Sequence, residues 1–138
     1  MKIKTIAAIA AATLLLSACG EKPTPESTAE AFSSHLYAGE FDKVIDMIDL
    51  GEVEKSLGAE DKEAMSEIKG KLQKTVEQDA AKAKPEGGVK EAKASPAECN
   101  DTKDKCGVKV TVTFKSGKTE EEKFNVRKAG DDWKISLI

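Results

Sequence analysis

The apolar positions along the chain change period part-way through. From Pro25 to about Lys84 they recur at helical steps of three and four, and from Val89 onward they alternate singly, as strands do. The first helix is predicted from Pro25 to Ala38, with Thr24 as its cap, Pro25 in the tolerant first turn, Ala29, Phe32, Ser33 and Leu36 inward, and Gly39 as the stop. A second short helix spans Phe41 to Ile48 with Val44, Ile45 and Ile48 apolar. Asp49 followed by Glu52 then reads as a capping arrangement for another turn or two that buries Leu50, Val53 and Leu57. Gly58 precedes the longest helix, predicted from Ala59 to Lys84, with the stripe Met65, Ile68, Leu72, Val76, Ala80 and Ala83.

After Pro85, Gly87 and Gly88 the pattern is that of sheet. Val108, Val110, Val112 and Phe114 share one face, continued by Phe124 and Val126 and then by Trp133, Ile135 and Leu137. A weaker stretch from Val89 to Cys99 carries Pro96, which cannot donate to a ladder, and reads as an edge strand. Helices followed by an antiparallel meander predict an α+β domain whose sheet covers the helices with its apolar face. For the first hairpin, a two-residue loop at Ser116-Gly117 is rejected, because it opposes Val110 to Lys123 and inverts the faces. A three-residue connection with Gly117 or its neighbour at positive φ is expected instead, setting Val110 against Phe124 and Val108 against Val126. The next turn is expected to pair Val126 with Trp133 and Phe124 with Ile135, leaving Arg127 and Asp132 as an exposed ion pair.

The first 18 residues follow a different logic. Lys2 and Lys4 precede about eleven apolar residues, Ile6 to Leu16, a length suited to a cleaved export signal and short of the roughly 20 that span a bilayer. Leu16-Ser17-Ala18-Cys19 resembles the lipobox of bacterial lipoproteins. The resemblance implies cleavage before Cys19, diacylglycerol on its sulfur and acylation of the new N-terminus, a combination strong enough to hold a protein at a membrane. Gly20, where aspartate directs inner-membrane retention in lipoprotein sorting, favours the outer membrane of the bacterial envelope. The organisation is then a signal peptide at residues 1–18, a lipidated cysteine and tether at 19–24, and a single domain at 25–138.

Removal of the signal leaves 20 basic against 25 acidic residues, and Arg127 is the only arginine. An acidic surface with almost no guanidinium forks excludes nucleic acid and anionic lipid headgroups as natural partners. With Cys19 lipidated, Cys99 and Cys106 remain as a pair in a compartment where disulfides persist, so they are expected to be bonded.

The Pro25-Glu26 opening, Phe32 and Leu36 within the first helix, Tyr37-Ala38-Gly39-Glu40-Phe41 leading to Val44 and Ile48, and the closing Trp133-Lys134-Ile135 together carry a likeness. The chain resembles the nuclear transport factor 2-like, or cystatin-like, cone superfamily, and within it small bacterial lipoproteins of unknown function with a lumazine-binding-like domain. The resemblance covers roughly Thr24 to Ile138 and implies a helix-covered cone. That superfamily holds isomerases, dehydratases, transport factors and binding modules, so it does not choose a function.

Chemistry is sparse. His35 and Tyr37, the only histidine and tyrosine, point about 200° apart on one helix and form no dyad. No carboxylate is expected on the inward stripes, and Glu120, Glu121 and Glu122 read as a solvated strand start able at most to meet a basic partner. Six residues separate Cys99 from Cys106 with no histidine nearby, and Asn100, Asp101 and Asp104 lack the glycine and terminal glutamate of a calcium loop, so no metal and no cofactor is expected. Nucleophile elbows and phosphate loops are absent. These readings predict no catalytic residues and a membrane-anchored, non-catalytic module that binds a small apolar ligand or an envelope protein, with Phe32, Leu36, Tyr37, Phe114, Phe124 and Trp133 as candidate pocket residues. The competing classes are a small isomerase- or hydrolase-like enzyme using Tyr37 and a carboxylate supplied by the fold, and a structural or inhibitory surface module.

Overall fold

A computed structural model describes residues 22–58 and 61–137. The expected signal peptide, Cys19 and Gly20 lie outside the described residues, as does the expected helix start at Ala59. Helix α1 runs Pro25–Ala38. Thr24 and Ser27 exchange two hydrogen bonds in a capping box, the Ser27 amide donating to Thr24 Oγ1 at 3.0 Å and the Thr24 amide to Ser27 Oγ at 2.9 Å. Gly39, at φ 75°, ends the helix in the left-handed conformation. Helix α2, Phe41–Asp46, and helix α3, Leu50–Leu57, follow, the latter capped by Asp49, whose carboxylate accepts from the Glu52 amide.

Helix α4 spans Lys62–Ala83 and begins where Asp61 accepts the Ala64 amide, three residues later than the periodicity suggested. Only its C-terminal half is fully packed: Val76, Asp79 and Ala83 are buried, whereas Met65, Ile68 and Leu72 are half-buried. Among the described residues, no helix is long and apolar enough to cross a membrane.

A short 3-10 turn, Lys84–Glu86, leads into strands β1, Val89–Ala94, and β2, Glu98–Cys99. Pro96 separates the two, and both lie along β3, Lys105–Phe114. Strands β4, Thr119–Ala129, and β5, Asp132–Ser136, complete a curled antiparallel sheet in the order β1-β3-β4-β5. Its concave face presents Val108, Val110, Val112, Phe114, Val126 and Ile135 to α1 and α4, and the core lies between them. The disulfide expected between Cys99 and Cys106 is present, joining directly opposed residues of β2 and β3.

Helix and loop groups fill the outer edges of the sheet. On the β1 side, Glu30 accepts the Ala94 amide at 2.8 Å and Glu26 the Ala97 amide at 3.0 Å. The latter bond holds the Glu26 carboxyl below its ordinary range. On the β5 side, Ile135 donates to the Met47 carbonyl and accepts the Asp49 amide, which makes a parallel bridge with Ile48.

Both expected hairpin registers are corrected. The first hairpin does use a three-residue loop with Gly117 at φ 94°, but the loop is Lys115-Ser116-Gly117, so Phe114 faces Lys118. A type I turn followed by a left-handed glycine requires that glycine to be last in the loop, which selects this alternative over one centred on Gly117. Val108 therefore opposes Phe124, Val110 opposes Glu122 and Val112 opposes Glu120. The second hairpin is tighter than expected: Ala129 pairs with Asp132 around Gly130-Asp131, with positive φ at Gly130 alone, the pattern of a type II′ turn. Val126 accordingly meets Ile135. Arg127 lies opposite Lys134 and pairs with Glu52 at 2.7 Å and Asp49 at 3.7 Å, replacing the expected Asp132 partner and tying α3 to the sheet.

Candidate functional site

Strand parity brings acid into the cone, and the first hairpin register fixes what that acid opposes. Inward parity on β4, set by Val126 and Phe124, continues through Glu122 and Glu120, and the expectation that no carboxylate enters the inner face is overturned. Of the three consecutive glutamates only Glu121 faces outward, 3.9 Å from Lys109. The buried stripe of α4 likewise includes Asp79, three residues after Val76 and four before Ala83. Tyr37, at the C-terminal end of α1, reaches between these elements. Its hydroxyl lies 2.8 Å from Glu120 Oε2 and 2.8 Å from Glu122 Oε1. Its ring stands edge-on to Phe114, centroids 5.2 Å apart. Asp79 pairs with Lys82 at 3.2 Å, the aspartate nearly covered and the lysine reaching solvent.

A phenol carries one proton, which cannot fully satisfy two ionised carboxylates at 2.8 Å. One acceptor is therefore left short of a donor, and a proton taken up by the pair fills that gap by donating to the tyrosine oxygen. Glu122 is the better holder. Burial pushes its carboxyl above the ordinary range, reinforced by the negative charges of Asp79 and Glu120 and opposed by the Tyr37 hydrogen bond and Lys82. Burial and hydrogen bonding to the two glutamates drive the Tyr37 phenol far above its usual value. The Asp79 hydrogen bond raises Lys82.

The sign of the pH dependence follows from Glu122. A carboxyl whose folded-state affinity for protons is raised contributes stability below its unfolded value, and that contribution is lost as pH rises through the folded-state value. Glu122→Gln, which mimics the protonated acid, is therefore expected to gain melting temperature relative to wild type as pH rises above the ordinary glutamate value of about 4.3. Comparing the two proteins cancels the contributions of Glu26 and other carboxyls held low. Parallel melting curves across that range are the outcome that contradicts a protonated Glu122.

Beside this cluster the cone opens into a cavity of about 370 Å³. Its walls are Phe32 and Leu36 of α1, Leu72, Thr75 and Asp79 of α4, Glu122 to Asn125 of β4, and Ile135 to Leu137 at the end of β5. Phe32 and Phe124 meet edge-on across it at 5.2 Å. Of the six candidate pocket residues, Phe32, Leu36 and Phe124 line this cavity, while Tyr37 and Phe114 are buried beneath its polar side. Trp133 lies elsewhere, at a shallow depression with Pro23, Thr24, Ser27 and Met47 around the start of α1. The two-residue turn shifts the strand so that Ile135, rather than Trp133, stands opposite Val126.

The remaining candidates stay apart. His35 faces outward and contacts Glu40 at 3.3 Å. Asp104 accepts hydrogen bonds from Asn100 and Thr102 in a closed loop tip. Among the described residues no group of three histidine, cysteine, aspartate or glutamate side chains is arranged to hold a metal ion. Sequence reasoning missed Glu120, Glu122 and Asp79, although strand parity and the α4 stripe each placed them inward.

Helices lodged in a curled antiparallel sheet, with a polar cluster inside the cone, define the nuclear transport factor 2-like class of α+β domains. The chain belongs to the family described as Domain of unknown function (DUF4878), whose model matches residues 17–136. It is similar to a crystal structure from Campylobacter jejuni provisionally named an NTF2-like transpeptidase, with 29% identity and a TM-score of 0.69 over 80% of this chain and 94% of that one. No curated protein matches the chain.

Proposed function

We propose that this protein is a lipid-anchored lipoprotein of the bacterial envelope, favouring the outer membrane, whose cone domain binds a small, largely apolar ligand without turning it over. The observation that carries this reading is the cavity at the cone mouth, whose volume falls within the range of ligand sites and whose apolar walls come from four elements with carboxylates at one side. The lipobox-like Leu16-Ser17-Ala18-Cys19 supports the anchor.

The same cluster argues against acid–base catalysis, although the fold does bring carboxylates to Tyr37. Efficient proton transfer calls for a group whose pKa lies near the working pH. The Tyr37 phenol is shifted away from that range, its proton is committed to Glu120 and Glu122, and the residue is buried. Among the described residues, the transpeptidase name of the Campylobacter jejuni relative has no counterpart in an activated cysteine, since Cys99 and Cys106 are bonded, and the buried Ser33 Oγ has no hydrogen-bond partner.

Native mass spectrometry of protein extracted from its envelope, beside a substrate screen of wild type and Tyr37→Phe, tests the reading. A retained small molecule without turnover supports it. Saturable turnover that disappears in Tyr37→Phe overturns it in favour of an enzyme. Cys19→Ser is expected to abolish incorporation of labelled palmitate, and unchanged labelling refutes the anchor.

A further inference from the structure

We propose that the cone-mouth cavity selects an amphiphile with an apolar body and a protonated amine, and that the amine pairs with the Glu122 carboxylate and displaces the proton Glu122 holds in the empty protein. The proposal rests on the preceding reading of the cavity as a ligand site and adds the charge of the ligand.

Three observations carry it. First, the walls divide by chemistry: Phe32, Leu36, Leu72, Phe124 and Leu137 are apolar, whereas Asp79 and Glu122 meet at one side. Second, Glu122 Oε1 faces Tyr37 while Oε2 is buried with no hydrogen-bond partner, and a buried carboxylate oxygen left unpaired is costly unless a donor reaches it. Third, the charges around that oxygen do not balance. Tyr37 from α1, Asp79 and Lys82 from α4, and Glu120 from β4 face Glu122, and Lys82 is the only cation among them. Lys123 also borders the cavity, but its side chain lies over Gly107 on the outer face of the sheet. A ligand ammonium supplies the missing positive charge and the missing donor. A carboxylate or phosphate adds to the negative charge, and a bare metal ion meets no suitable group of ligands.

The exchange balances. The carboxylic acid of Glu122 releases its proton to the buffer, its O–H bond breaking with the electron pair left on oxygen, and the incoming ammonium donates N–H to the resulting carboxylate. With Glu122 ionised, the Tyr37 proton is shared between Glu120 and Glu122, and the ammonium supplies the second donor that the protonated acid supplied before.

Isothermal titration of the mature, membrane-extracted protein with 2-phenylethylamine, 2-phenylethanol and 3-phenylpropionate tests the assignment. The amine is expected to bind most tightly and to release a proton, seen as a dependence of the apparent heat on buffer ionisation. Glu122→Gln is expected to weaken the amine by about tenfold or more, to abolish proton release and to leave the alcohol unchanged. Equal binding of amine and alcohol, or tighter binding of the acid, overturns the amine assignment and leaves the apolar site standing. Failure of all three probes to bind folded protein counts against the site itself. Proton release is measured on wild type and needs no variant, so a Glu122→Gln protein that does not fold leaves the test intact.

Discussion

Phe114→Ala is expected to cost the domain about 3–5 kcal/mol of folding stability. The ring is 1% exposed and closes β3 at the closed end of the cone, edge-on to Tyr37. Its removal loses the transfer free energy of a buried aromatic group and leaves a cavity, because β3, α1 and the 115–117 turn are each fixed by their own hydrogen bonds and cannot collapse into the space. Loss of the aromatic pair adds about 0.5–1.5 kcal/mol to the area effect. Urea denaturation checks the value, with Phe114→Leu expected to retain most of the stability because it keeps the bulk. A loss below about 1 kcal/mol for the alanine variant contradicts a packed floor beneath the tyrosine cluster.

Joint replacement of Cys99 and Cys106 by serine is expected to cost about 2.5 kcal/mol, the chain-entropy value for a closed loop of about eight residues. The fold survives, because the bond clips a loop beside β3 and is not part of the helix-to-sheet core. Thermal melts of the double variant and of dithiothreitol-treated wild type are expected to fall together. If reduction leaves the melting temperature unchanged and thiol labelling shows both cysteines free in protein purified without reductant, the disulfide is refuted.

The helical half was the more legible part of this chain, and the reason is local chemistry. Thr24, Pro25 and Gly39 each act within one turn of themselves, so α1 is bounded correctly from Pro25 to Ala38. The long helix begins later than Gly58 suggests, because Asp61 supplies the capping carboxylate. The sheet was harder, since register is a relation between distant residues. Rejecting the two-residue loop preserved the correct face, but two three-residue loops share that face and differ by a shift of two. Only the requirement that Gly117 come last separates them. The shift moves no residue to the other side of the sheet and changes only what opposes what: Val110 meets Glu122 instead of Phe124, while Glu120 and Glu122 face inward in either register. By charge Glu120 to Glu122 resembles a solvated run, although strand parity turns two of the three inward. The inward-facing two are held half-buried by Tyr37, a partner more than eighty residues away that no local pattern announces.

The occupied margins of the sheet determine how this domain keeps company. A flanking strand with free amides and carbonyls invites another extended chain to dock as one more rung, and repetition of that event is how folded proteins seed fibres. Here the carboxylates of Glu26 and Glu30 take amides on one flank, Pro96 offers none, and the Met47–Asp49 backbone occupies Ile135 on the other. Tandem association by strand exchange is thereby discouraged. Copies crowded close together therefore lack an open rung at these positions through which to join.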